Sequence, residues 1–120
     1  MSTRDDVVTV LDGLELQLAD GTVTISAYPV QPGTVDAWSA WTVWASTTWR
    51  TVAIADDSWT VVVALPGSDP GTVAAAADAA REPVREALMK LGGVMRCEPI
   101  TLAVGDQATT VTMLAYSLET

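Results

Sequence analysis

The run Ser58 to Pro66, SWTVVVALP, constrains the fold more than any other stretch of the chain. On a strand, Trp59, Val61, Val63 and Leu65 point one way while Val62 and Ala64 point the other. All six are apolar, so a strand made of them needs cover on both faces and belongs in the middle of a layered domain. At 120 residues the chain has the size of one domain, taken as residues 1–120. A domain of that length buries roughly two-thirds of the surface its unfolded chain exposes and needs no covalent staples. Cys97 is the only cysteine, which excludes an internal disulfide. With no histidine in the chain to serve as its base, it reads as a plain strand residue rather than a nucleophile.

The elements around that strand follow from periodicity and punctuation. Ser2 can cap a first helix with Asp5 three residues on, and Val7, Val10, Leu11, Leu14 and Leu18 fall on one helical face, with Gly13 as a weak point. TVTISAYP alternates as a strand, with Val23, Ile25 and Ala27 on one side and Pro29 as its end. VQPGTVDAWSA has no period and reads as a long loop. WTVWAST is a second strand run, divided from the central one by TWRTVAIADD. Asp69 is placed as an N-cap with Pro70 at the first helical position. Beyond it Val73, Ala77, Ala80, Val84, Leu88 and Leu91 recur at helical spacing over about six turns. Pro83 predicts a kink near Ala79, and Gly92 and Gly93 predict the stop. VMRCEPITLAV and TVTMLAYSLE, divided by GDQAT, form a final hairpin. The expected fold is therefore α+β, a single mostly antiparallel or mixed sheet with an N-terminal helix and one long helix packed on one face.

Four of the five tryptophans fall between Trp38 and Trp49, in a chain with no phenylalanine. Trp41 and Trp44 sit in one strand at odd spacing and point to opposite faces, so they do not share a stacking platform for sugars or bases. The expectation is that Trp41, Trp44 and Trp59 are buried, leaving Trp38 and Trp49 at element ends as interface anchors. Arg50 follows Trp49 and is the only cation between Arg4 and Arg81. It can pair within its own chain or with a neighbouring copy, and Asp36, Asp56 and Asp57 are the acids closest to it along the chain.

Net charge is −9, with ten acids against two arginines in residues 1–80 and five acids against four cations in residues 81–120. Clustered Lys and Arg suited to a phosphate backbone are missing. Asp5 with Asp6, and Asp56 with Asp57, are adjacent residues whose side chains diverge, which disfavours paired-carboxylate catalysis. LPGSDPGT lacks the Lys-Ser/Thr of a phosphate loop. No catalytic residue, cofactor or metal ligand is predicted. The polar, acidic start MSTRDDVV does not read as a secretory signal, and no apolar run reaches the roughly 20 residues of a membrane span.

Taken in order, YPVQPG, WTVWAS, WRT, WTVVVALPGSDPGT, AADAAREPVREAL, VMRCEP and LAYSLE resemble the tail terminator proteins of long-tailed bacteriophages, those of actinobacteria above all. The resemblance runs over nearly the whole chain and is carried by scaffold motifs. It implies an α+β virion protein assembled in the host cytoplasm. There it would form a ring, usually a hexamer, on the last ring of the tail tube, end tube growth and join the head-completion complex at the neck. DNA would pass through an acidic lumen without specific binding, and no membrane is involved. The alternatives are another neck protein such as a head–tail connector, a small acidic DNA-mimic or regulatory protein, and, more weakly, an enzyme using carboxylates alone.

Overall fold

The structure, a computed structural model, describes residues 3–18, 21–33, 35, 37–66, 69–103 and 110–119. Two helices, α1 (Thr3–Leu11) and α2 (Pro70–Leu88), accompany seven strands: β1 (Glu15–Leu18), β2 (Gly21–Thr24), β3 (Ser26–Ala27), β4 (Ser39–Trp49), β5 (Ala55–Leu65), β6 (Gly93–Ala103) and β7 (Thr110–Glu119). Five of them form a mixed sheet in the order β3-β4-β5-β7-β6, with β5 central, and β1 and β2 form a separate two-stranded sheet. The short β3 runs parallel to β4, while all other pairings are antiparallel. This is the expected α+β architecture, with the second small sheet as an addition.

Both helices pack on one face of the large sheet, where Ala40, Val61, Val63, Leu65, Leu114, Tyr116 and Leu118 meet Val7 and Leu11 of α1 and Val73, Ala80, Val84 and Leu88 of α2. The opposite face carries a smaller cluster of Trp41, Val62, Ala64 and Met113. Val35, from the long loop between β3 and β4, closes over that cluster and is itself 5% exposed. The two-sided cover required by the central strand is thus helices on one side and a loop on the other.

α1 ends earlier than its apolar spacing predicts. Gly13 takes φ +81°, a left-handed conformation that favours glycine, and its N–H donates to the Ile25 carbonyl. Leu14 and Leu18 therefore leave the helix. Leu14, Leu16 and Leu18 also satisfy a period of two, and Leu16 is buried while Glu15 and Gln17 face solvent. Strand β1 wins because pairing Leu16 with Val23 lays a hairpin against α2. The single strand read at TVTISAYP is divided into β2 and β3, with Ile25 buried between them.

The Asp69 side chain accepts from the Thr72 N–H at 2.9 Å and from its hydroxyl at 2.6 Å, capping α2 as predicted, with Pro70 in the first turn. These hydrogen bonds hold the Asp69 carboxyl below its ordinary value. α2 continues through Pro83 to Leu88, and turn-tightening bonds from Met89, Lys90 and Leu91 close it before the glycines are reached. The turn predicted at GDQAT lies outside the described residues.

Tyr116 packs opposite Cys97 on the neighbouring strand and donates its hydroxyl to the Arg81 carbonyl of α2 at 2.9 Å. Burial pushes its phenol far above the ordinary 10.0, and burial likewise raises the partly covered Cys97 thiol from 9.0. In the unfolded chain both ionise near their ordinary values, so above pH 10 the unfolded state has released a proton that folded Tyr116 retains. Stability is therefore full below the unfolded pKa and falls as pH rises past it, by up to about 1.4 kcal/mol per pH unit for Tyr116. Urea titrations between pH 8 and pH 11 should show this decline, and Tyr116→Phe should flatten it. A decline of equal steepness in that variant would refute the assignment.

Candidate functional site

β4 and β5 outrun the rest of the sheet. β7 ends opposite Ser58, so beyond Ser46 and Ser58 the hairpin is a two-stranded ribbon among the described residues. Burial changes abruptly along it: Ser39 to Thr42 are buried and Val43 to Ser46 are exposed. The molecule is 49 Å along its longest axis and 22 Å along its shortest. Arg4 of α1 marks the limit of helical cover. Its guanidinium donates to the Pro29 carbonyl at 3.0 Å and the Thr42 carbonyl at 2.5 Å, and lies 5.4 Å from the centre of the Trp59 ring.

A two-stranded ribbon is marginal by itself, and this one is tied by side chains. Asp57 accepts from the Thr47 hydroxyl at 2.6 Å, and that hydroxyl oxygen accepts from the Trp44 indole N–H at 3.0 Å. Arg50 and Asp56 form a salt bridge of 2.8 Å near the turn. Residues 50–54 make the turn with no glycine, because the Thr51 hydroxyl accepts the N–H groups of Ala53 and Ile54.

A register shift between Trp44 and Ser46 leaves Ala45 as an extra residue. Such a bulge exchanges the faces of every residue beyond it. Trp44 pairs with Trp59 and Trp49 with Ala55, and directly opposed residues share a face. Trp44 and Trp49, five positions apart, thereby come to the same side as Trp59. Trp44 is 54% exposed and Trp49 68%, Val52 and Ile54 are exposed near the turn, and Val43 is exposed on the opposite face. The arm is thus an apolar surface with an exposed ion pair at its end.

The expected site residues separate. Trp49, Arg50, Asp56 and Asp57 all lie on the arm, and Asp36 lies outside the described residues. Trp38 departs from expectation, being 8% exposed and part of the main core, because its loop folds inward beside β3. Trp44 departs the other way: expected in the core, it is 54% exposed and takes no part in either core cluster among the described residues. Of the three tryptophans expected to be buried, Trp41 is and Trp59 is half-buried. Arg50 takes the intrachain option, with Nε and Nη2 both on Asp56. Asp56 and Asp57 point to opposite faces and bind different partners, so they do not converge. Among the described residues no three His, Cys, Asp or Glu side chains are placed to hold a metal ion. No helix of the described residues is long and apolar enough to cross a membrane.

A second feature lies at the far end of β5. A groove of about 710 Å³ opens between the β1–β2 hairpin and the first turns of α2, walled by Leu18, Val23, Trp38, Pro66, Ala75 and Ala79. Among the described residues Asp69 is the only charged one in its lining. The sequence does not announce the arm, because TWRTVAIADD reads as a connection between two strands. The available signal was that Gly and Pro are absent from Thr34 to Leu65, which favours one long hairpin over two strands and a loop. No protein-family model, curated protein or solved structure matches the chain.

Proposed function

We propose that this chain is a structural subunit of a phage tail, a terminator that closes into a ring on the end of the tail tube and presents a surface to the neck. The observation that carries this reading is the projecting apolar arm, with its exposed Trp44, Trp49, Val52 and Ile54. An apolar patch of this kind on an otherwise acidic protein marks an association surface. The charge of −9 suits a lumen through which DNA slides without adhering. The order of sequence motifs that resembles tail terminators supplies the identity of the assembly, and a sixfold ring, the tube protein and a head-completion protein as partners belong to that same proposal.

The test is a phage from which the gene for this chain has been removed. Tails of irregular and excessive length, with few joined heads, are the expected product, and expression of the chain in trans restores uniform length. Tails of normal length that fail to join heads would instead make the chain a connector acting after length is set. Normal, infectious particles would remove it from the virion and favour a host-directed role.

A further inference from the structure

We propose that the arm of one copy seats in the groove of the next, so that the ring closes through a single heterologous contact. This rests on the ring reading above and names the two surfaces that make it. The arm end of β5 at Ala55 and its other end at Leu65, next to Pro66 of the groove, are about 34 Å apart at the rise of a strand. One copy therefore cannot fill its own groove. A contact between two different patches of identical chains propagates from copy to copy and closes when the rotation allows.

Chemistry and size match. The arm presents indole and aliphatic surface, and the groove is walled by apolar and small side chains. Among the described residues the groove lining carries one acid, Asp69, and no base. Arg50 is already paired with Asp56, and Asp57 lies beside it, so the contact is carried by apolar surface and not by charge. The exposed parts of Trp44, Trp49, Val52 and Ile54 sum to roughly 500 Å², more than half of the ~800 Å² per partner in a standard interface. A groove of about 710 Å³ falls within the roughly 300–1,000 Å³ of sites that enclose sizeable groups.

The experiment is complementation between two crippled variants, read as mass by light scattering after size exclusion. Trp49→Ser removes an exposed anchor from the arm, and Val52→Glu is a second arm variant at a fully exposed position. Ala75→Glu places bulk and charge in the groove at an exposed site in the second turn of α2, where the helix dipole tolerates an acid. Circular dichroism establishes that each variant is folded. The wild type should form assemblies of many copies, and each variant alone should run as a 12.6 kDa monomer. An equimolar mixture of arm and groove variants keeps one intact arm and one intact groove, so it should give a species of two chains that grows no further. Variants that assemble like the wild type, or a mixture that stays monomeric, would overturn the contact while leaving the ring reading intact. A wild type that remains monomeric up to about 100 µM overturns the contact too. If Trp49→Ser then loses binding to isolated tail tubes, the arm's partner is the tube protein.

Discussion

Trp41→Ala should cost about 3–5 kcal/mol, a large part of the roughly 5–15 kcal/mol that holds a domain folded. Trp49→Ala, eight residues along the same strand, should change stability by less than about 0.5 kcal/mol. Trp41 is 1% exposed and is the largest member of the cluster on the face away from the helices, packed with Val35, Val62, Ala64 and Met113. Among the described residues only the loop carrying Val35 covers that cluster, so the space left by an indole has no helix behind it to move in. Val35 and Trp41 pack in one cluster, so their shared contact is lost in either single variant and counted once in the double, and a double variant with Val35→Ala should fall short of additivity. Trp49 has 68% of its surface in solvent and takes no part in either core cluster. Denaturant midpoints for the two variants decide the matter. Similar midpoints would mean that the loop does not close the back of the sheet. Iodide provides an independent check, since it should quench the emission of Trp44 and Trp49 and leave that of Trp38 and Trp41.

Much of this fold was legible because several signals agreed locally. Asp69 and Pro70 mark the start of α2 by two separate mechanisms, a side-chain cap and a ring that needs no N–H, and both operate. Val61 to Leu65 declare a strand covered on both faces, and the alternation of Met113 and Ala115 against Leu114, Tyr116 and Leu118 assigns β7 its two sides. The failures arise where one pattern satisfies two periods or where one residue changes a register. Leu11, Leu14 and Leu18 fit a helix, while Leu14, Leu16 and Leu18 fit a strand. The choice was made by Gly13 and by pairing with Val23, which is a tertiary matter. Ala45 is an ordinary alanine in an ordinary strand, yet as a bulge it moves Trp49 onto the side of Trp44. No local chemistry announces it. The candidate site suffered most, because an exposed tryptophan on an arm and a buried one in a core have the same neighbours in sequence and differ only in what tertiary cover reaches them, the loop at Val35 over Trp41 and no described helix over Trp44.

Gly92→Ala should destabilise the protein by roughly 2–3 kcal/mol, at the upper end of the ~1–3 kcal/mol typical of overpacking. As one of two glycines after a long amphipathic helix, Gly92 invites assignment as a helix stop. The helix closes without it, through bonds from Met89 to Arg85, Lys90 to Ala87 and Leu91 to Leu88. What Gly92 does is bring the chain across the end of β7 so that β6 can add to the sheet outside it. A methyl group there would collide with the carbonyl oxygen of Glu119 and come within 3.8 Å of a Leu118 methyl. The colliding atom belongs to the backbone of the strand that β6 must pair with, so it cannot rotate away as a side chain would. Relief has to come from shifting Gly93 out of register with Glu119, the first pair of the β6–β7 ladder. Gly71 is the control. Among the described residues an added methyl meets only the Asp69 carboxylate at an ordinary 3.6 Å, and the position is helical, so Gly71→Ala should stabilise by about 0.4–1 kcal/mol through lower entropy of the unfolded chain. The two substitutions are chemically identical and should move the denaturation midpoint in opposite directions. A Gly92→Ala protein as stable as the wild type would show that the passage over β7 is wider than drawn, and would return the glycine to the role of a simple breaker.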